Sequence, residues 1–197
     1  PGEIPVVERL KTAVKEGVNY HPYLPRDDGR LPMSDFGGEH RYNVTGLYHD
    51  IWGFPTGNPD EVRKLVYHLV DKIEAKADEI ARYKALYLDD ARQIFISYGS
   101  SARSTLHLVN TLRERGIRAG LIELQTLWPF PAALIARLTE KARTLYVVEM
   151  NMGQICAQVK QAAREPDRVF LINRMDGQLI TPTDIGNVMR VVEGRGF

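Results

Sequence analysis

Four short apolar runs, separated by segments of helical period, constrain the fold of this chain more than any other feature. The runs are rich in β-branched, aliphatic and aromatic residues, as is typical of strands buried on both faces. They are QIFISY (93–98), GLIELQ (120–125), TLYVVE (144–149) and RVFLIN (168–173). Because a helical segment joins each run to the next, we expect parallel strands connected by right-handed crossovers. The sequence therefore predicts a three-layer, open, mainly parallel α/β sheet.

The helical segments have recognisable ends. The predicted helices run from Arg103 to Arg115, onward from Pro131, from Gln154 to Arg164, and onward from Thr181. Proline suits the first turn of a helix and threonine its amino-terminal cap, while Gly116 and Pro166 favour termination. In the first of these helices we expect Leu106, Val109, Asn110 and Leu112 to face the sheet.

Composition shifts divide the chain into three parts. Residues 1–57 form an extended tail, polar and aromatic, with only a weak helical pattern at 6–17. Residues 58–90 form a predicted connecting helix of about 25 residues, with Asn58 as its cap and an apolar stripe along one side. Residues 91–197 form the α/β domain.

Composition also excludes several classes of function. The formal net charge is +1, from 26 basic and 25 acidic residues, so no long-range field favours nucleic acid or an anionic membrane. No apolar run approaches the roughly 18 residues of a membrane span, and we expect a cytoplasmic protein. The single cysteine, Cys156, excludes an intrachain disulfide or a cluster held by four thiolates of this chain. The chain begins with Pro-Gly rather than Met, which indicates a trimmed product or a longer subunit.

Two loops at predicted strand ends carry the candidate binding residues. In YGSSARS (98–104), Gly99, Ser100, Ser101 and Arg103 lie at a strand-to-helix turn whose free N–H groups could hold an anion. The structural alternative is that Ser100 or Ser101 caps the helix. The loop lacks the glycine patterns of dinucleotide and NTP sites. In EMNMGQ (149–154), Asn151 and Gln154 could reach toward the first loop, or Asn151 could cap the next helix.

The remaining candidates are an aromatic phrase and a set of histidines. LQTLWPFP (124–131) holds Trp128 and Phe130 between prolines, which favours either a subunit contact or core burial. His40 and His49 match no zinc-binding spacing, so we predict no metal site. The residues themselves identify no catalytic group.

Taken together and in this order, these phrases resemble one protein family. With TGLYHDIWGFPT (45–56) upstream and NRMDGQLITPTDI (173–185) downstream, the chain is similar to the C-terminal part of the alpha subunit of a 2-oxoacid:ferredoxin oxidoreductase of the 2-oxoglutarate type. The resemblance implies that 1–57 is the tail of a thiamine pyrimidine-type domain and 91–197 a transketolase C-terminal-like domain. It implies an enzyme that decarboxylates a 2-oxoacid to an acyl-CoA and reduces ferredoxin.

The same resemblance implies cofactors and partners beyond this chain. Thiamine diphosphate, magnesium and an iron–sulfur cluster would belong to the assembled enzyme, with a beta subunit, the upstream alpha segment, ferredoxin and CoA as partners. The sequence lacks a G-D-G motif followed by an N-N pair, so we expect the chain alone to be inactive and to serve assembly and shaping of the site. Tyr48 and Ile51 replace two acids of the family pattern, which leaves the 2-oxoacid open. The alternatives are a free-standing nucleotide-binding module and the assembly domain of another thiamine enzyme.

Overall fold

The computed structural model describes residues 2–5, 7–15 and 18–194 and divides the chain into two units, Pro1–Lys76 and Ala77–Phe197. The second unit is built on a five-stranded sheet. Its strands are β1 (Tyr83–Leu86), β2 (Gln93–Tyr98), β3 (Ala119–Leu124), β4 (Thr144–Glu149) and β5 (Val169–Asn173). The four runs predicted from the sequence are β2 to β5, within one residue at each end.

The strand order across the sheet is β1-β3-β2-β4-β5. Strands β3, β2, β4 and β5 are parallel, and β1 pairs with β3 in the antiparallel direction. Gln93 lies opposite both Ala119 and Thr144, so the three central strands begin at the same level. The predicted mainly parallel α/β sheet is confirmed.

Helices cover both faces of the sheet and bury two separate cores. In chain order the helices are α1 (Pro59–Glu74), α2 (Ala77–Ile80), α3 (Gly99–Glu114), α4 (Ala132–Lys141), α5 (Gln154–Ala162) and α6 (Pro182–Val192), with a 3-10 turn at Pro166–Arg168. Of these, α3 to α6 flank the sheet. Ile135 of α4 and Val159 of α5 pack with one set of strand side chains. Val109 of α3 and Ile185 of α6 pack with the alternate set, because successive strand residues point to opposite faces.

Helix α3 begins four residues before its predicted start. Gly99 adopts a positive φ of 57°, which lets the chain leave β2 and enter the helix without a linker. The buried face of α3 includes Thr105 and Leu108, together with the predicted Val109 and Leu112. The expectation that Leu106 and Asn110 face the sheet is wrong for Asn110, which is exposed, and only partly correct for Leu106, which is half-buried.

The predicted 25-residue connecting helix at 58–90 is wrong in length. Helix α1 ends at Glu74, the four-residue α2 follows, and Tyr83–Leu86 is the edge strand β1. The cap is as predicted: the Asn58 side chain accepts hydrogen bonds from the N–H groups of Asp60 and Glu61. The sequence did not predict strand β1, because this strand is largely exposed and lacks the continuous apolar run of a strand buried on both faces.

The first unit consists mainly of loops, with α1 as its long helix. A weak helical pattern was predicted at 6–17, of which the structure describes residues 7–15. These residues hold no helix, so the pattern does not form a helix there. His49 is buried, stacks on Tyr23 at a ring distance of 4.9 Å and contacts Thr45 Oγ1 at 3.0 Å. Asp50 accepts the N–H groups of Trp52 and Phe54, which closes the turn of the TGLYHDIWGFPT phrase.

Candidate functional site

The candidate site lies at the carboxyl edge of the sheet, between β2 and β4. From β2 the chain crosses to β3 on one side, and β4 then lies on the other side of β2. In open α/β sheets this reversal of strand order leaves a crevice at the carboxyl ends, where ligands commonly bind. The first turn of α3, which follows β2 directly, and the loop that follows β4 both lie at this edge.

Direct contacts join these two segments. The Asn151 Nδ2 group donates to the Tyr98 hydroxyl at 2.5 Å, and the Ser100 hydroxyl lies 3.8 Å from the Met150 sulfur. Below them, the buried Ser97 hydroxyl donates to the Val148 carbonyl at 2.8 Å. The two groups of predicted site residues, Gly99 to Arg103 and Asn151 with Gln154, are therefore neighbours.

Asn151 has a structural role in this arrangement. Its Oδ1 atom accepts the N–H groups of Gly153 at 2.8 Å and Gln154 at 3.1 Å, and its carbonyl accepts from Asn173 Nδ2 at 2.8 Å. Because its Nδ2 group is already bound to Tyr98, the side chain is used by the protein itself. Asn151 therefore closes the turn into α5, although the N-cap position itself is Gly153 and not Asn151 as the alternative had it. The exposed Gln154 side chain remains available to a ligand or partner.

Glu149 completes the amino-terminal cap of α5. This fully buried carboxylate accepts the N–H groups of Ile155 at 3.0 Å and Cys156 at 2.9 Å. Gly153 makes the geometry possible, because its φ is 101° and an added Cβ would lie 3.0 Å from the Leu171 side chain. The first turn of α5 is thus satisfied by Glu149 and Asn151 and offers little to an external anion.

The amino terminus of α3 differs from that of α5. Its capping position is Tyr98, and no side chain caps it by a hydrogen bond. The expectation that Ser100 or Ser101 caps this helix is therefore wrong. Ser100 and Arg103 are exposed on the first turn, whereas Ser101 is buried. Partial positive charge at the helix end, together with the Arg103 guanidinium, makes this the better place for an anionic group.

Burial governs the titratable groups around the crevice. Burial, followed by the nearby Glu149 charge, raises the pKa of Tyr98, so its hydroxyl stays protonated at neutral pH. Burial also raises the pKa of the Cys156 thiol, which is enclosed at the start of α5. A buried thiol of raised pKa is a poor nucleophile, so Cys156 serves as a small core residue.

The LQTLWPFP phrase separates into an outward and an inward aromatic. Trp128 has 54% of its surface exposed, whereas Phe130 packs against the core beside α4 and α5. Core burial therefore describes Phe130, and a subunit contact remains a prediction for Trp128. Other large apolar side chains are exposed on loops of the same carboxyl edge, namely Leu127, Met152, Met175 and Leu179.

The histidines do not converge on a metal site. His40 Nε2 lies 2.7 Å from the Val14 carbonyl, and His49 is engaged with Thr45. Over residues 2–5, 7–15 and 18–194, no group of three or more His, Cys, Asp or Glu side chains is placed to hold a metal ion. Within the same residues, no helix has the length and apolar character needed to cross a membrane.

Sequence reasoning missed two contributors to the crevice, Tyr98 and Asn173. Both occupy the last position of a strand, β2 and β5 respectively. That position was a usable signal, because side chains at the carboxyl ends of neighbouring parallel strands meet at one edge. Their hydrogen bonds to Asn151 depend on β4 lying between β2 and β5, which the sequence alone did not specify.

Comparison with known proteins places these features in a family. Residues 91–185 match the family model described as pyruvate:ferredoxin oxidoreductase core domain II. The chain is 36% identical over 183 residues to the 2-oxoglutarate synthase subunit KorA of Methanocaldococcus jannaschii, covering 92% of this chain and 48% of that protein. The ketoisovalerate oxidoreductase subunit VorB of Methanothermobacter marburgensis is 36% identical over 135 residues, or 68% of this chain and 38% of that protein. The chain spans about half the length of the 2-oxoglutarate synthase subunit.

A solved structure shares the fold over nearly the whole chain. The 2-oxoglutarate:ferredoxin oxidoreductase from Magnetococcus marinus, solved with 2-oxoglutarate, coenzyme A and succinyl-CoA bound, superposes with a TM-score of 0.79. The match covers 95% of this chain and 32% of that chain, at 19% sequence identity. At this identity the likeness concerns the fold alone.

Proposed function

The chain belongs to the family of 2-oxoacid:ferredoxin oxidoreductase alpha-type subunits, and on this premise we propose that it is the C-terminal portion of such a subunit. The assembled enzyme would convert a 2-oxoacid to its acyl-CoA with reduction of ferredoxin. The relation to 2-oxoglutarate synthase subunit KorA, extending over 92% of this chain, carries the proposal. It favours 2-oxoglutarate as the substrate.

The cofactors of such an enzyme would be held outside these residues. An iron–sulfur cluster requires several thiolates, whereas the chain has one cysteine and it is buried. The described residues likewise contain no carboxylate cluster suited to the magnesium of thiamine diphosphate. We therefore assign thiamine diphosphate, magnesium and the cluster to the upstream alpha segment, the beta subunit or another partner.

The part played by this chain would be assembly and shaping of the site. The proposed contact surface is the carboxyl edge, which holds the exposed Trp128 in the loop after β3 and the segments that follow β2 and β4. There the open amino terminus of α3, with Gly99, Ser100 and Arg103, would face anionic groups of the thiamine or CoA region. Gln154 would add a polar contact from the first turn of α5. A cytoplasmic location follows from the same proposal.

Reconstitution tests the function directly. The chain is assayed alone and with the upstream alpha segment and beta subunit, using thiamine diphosphate, magnesium, CoA and a viologen acceptor. We expect 2-oxoglutarate-dependent viologen reduction from the complex and none from the chain alone. Turnover by the isolated chain, or full activity of the complex without this chain, would refute the proposal. Pyruvate and 2-oxoisovalerate serve as comparison substrates for the 2-oxoglutarate assignment.

A substitution in α3 tests the proposed anion contact. Arg103→Ala should raise the apparent Michaelis constant for CoA while changing the stability of the chain by no more than about 0.5 kcal/mol, as for other surface changes. Arg137→Ala, an exposed arginine on α4, is the matched control. Unchanged CoA dependence in an intact Arg103→Ala complex would leave this helix end without a role in CoA binding.

A further inference from the structure

A cleft of about 960 Å³ opens at the amino edge of the sheet, the edge opposite to the candidate site. The residue immediately before each of the four parallel strands lines this cleft, and in every case it is arginine. The four are Arg92, Arg118, Arg143 and Arg168. A repeated cation at one structural position indicates a shared role, because the core of the sheet does not require it.

Three of these arginines lie side by side. The Arg92 N–H group donates to the Arg118 carbonyl at 2.8 Å, and the Arg143 N–H group donates to the Arg92 carbonyl at 2.7 Å. Neighbouring strands are about 4.8 Å apart, so the three arginine side chains begin at adjacent positions. No carboxylate of the described residues lies within 4.0 Å of these three groups, whereas Arg168 pairs with Glu165 at 2.7 Å. Of the four arginines, Arg168 alone forms a salt bridge with a carboxylate of the described residues.

A buried acceptor lies in the same cleft. Gln93, with 7% of its surface exposed, donates through Nε2 to the Glu193 carboxylate. Its Oε1 atom is shielded from solvent and has no donor among the described residues. Such an atom is costly to leave unpaired, so a ligand that brings an O–H or N–H group would be favoured there.

The net charge of the cleft favours anions. Five basic and three acidic side chains line it. Two of the acids are occupied, since Glu140 pairs with Arg164 at 2.8 Å and Glu193 accepts hydrogen bonds from Gln93 and Tyr146. The volume lies within the range of small-molecule sites, and planar guanidinium groups suit the oxygens of phosphate.

We propose that this cleft binds a small phosphate-bearing molecule that also carries a hydroxyl group. The guanidinium groups of Arg92, Arg118 and Arg143 hold the phosphate, and Gln93 Oε1 accepts a hydrogen bond from the hydroxyl. The site is separate from the carboxyl-edge crevice and does not depend on the activity proposed above.

Calorimetric titration of the 197-residue chain at low ionic strength tests the proposal. The probes are fructose 1,6-bisphosphate, which carries phosphates and hydroxyls, and inorganic pyrophosphate, which represents phosphate without a sugar. We expect saturable binding of one equivalent, tighter for the sugar bisphosphate. Arg92→Gln and Arg143→Gln should each weaken it about tenfold or more, since each removes a charge-assisted contact. Arg137→Gln on α4, outside the cleft, should leave it unchanged.

The Gln93→Leu variant and a poly-glutamate probe test the role of the hydroxyl group and the class of ligand. Gln93→Leu should abolish the advantage of the sugar bisphosphate over pyrophosphate while the arginine dependence remains. If that variant fails to fold, the arginine variants still decide the matter. The absence of saturable binding, or equal losses in the Arg137 control, would overturn the proposal. So would binding of a poly-glutamate peptide with neither phosphate probe bound, because the cleft would then serve an acidic protein segment.

Discussion

Glu149 provides the sharpest test of how the crevice is built. The structure makes this buried carboxylate the acceptor for two N–H groups in the first turn of α5, those of Ile155 and Cys156. Glu149→Ala removes both acceptor oxygens but leaves the two donors enclosed. Each buried donor without a partner costs about 1–3 kcal/mol, and we therefore expect a loss of about 3 kcal/mol in the free energy of unfolding.

Urea unfolding of the 197-residue chain measures this loss, and amide hydrogen exchange locates it. In Glu149→Ala the amides of Ile155 and Cys156 should exchange faster, while those of the β3 strand should change only as far as global stability falls. Glu114→Ala is the matched control, because Glu114 is exposed at the end of α3. Its effect should remain within about 0.5 kcal/mol.

Two results for Glu149→Ala would refute the capping role of Glu149. A loss below about 1 kcal/mol with unchanged protection at Ile155 would mean that Glu149 does not cap α5. A large loss with uniform changes over the whole sheet would assign Glu149 to general core packing. Either outcome would also remove the argument that the α5 terminus is closed to external anions.

Three other predictions concern the edge and its loops. Trp128→Ala should weaken subunit association by about 2 kcal/mol in a sedimentation assay without lowering the melting temperature. Phe130→Ala should lower the melting temperature, since only Phe130 packs in the core. The reverse pattern would contradict these two assignments. Cys156 should react with a maleimide much more slowly in folded than in urea-unfolded protein, because it is buried and its pKa is raised; equal rates would contradict this. The hydrogen bond from Arg174 lowers the pKa of Asp176 to about 2 from 3.8, so its stabilising contribution is complete above pH 3.8 and disappears as the pH falls toward 2. A carboxyl titration by NMR with an ordinary midpoint would exclude that contact.

The sequence predicted the elements whose signals are local. Strands such as β2 and β4 were found because burial on both faces requires a continuous apolar run. The edge strand β1 was missed because it is exposed, and its residues were assigned to a helix that ends at Glu74. The start of α3 was misplaced because a glycine of positive φ allows a strand to pass directly into a helix.

The candidate site was predicted as a set of loops but not as a set of roles. Asn151 could equally be a ligand contact or a cap. Its hydrogen bonds to Gly153 and Gln154 show that it closes the turn before α5, while Gly153 occupies the N-cap. Ser100 or Ser101 was the alternative cap for α3, yet the capping position is Tyr98. Side-chain roles of this kind depend on distances of a few tenths of an ångström, which residue types do not specify.

The sequence by itself determined the class of fold, the parallel strands and the family, because these follow from apolar periodicity and from short phrases in a fixed order. The tertiary structure alone decided that β4 lies between β2 and β5. That order brings Tyr98 and Asn173 to Asn151 at one edge and aligns Arg92, Arg118 and Arg143 at the other. The physical reason is that strand order results from how crossovers cover both faces of the sheet, which is a property of the whole domain and of no single segment.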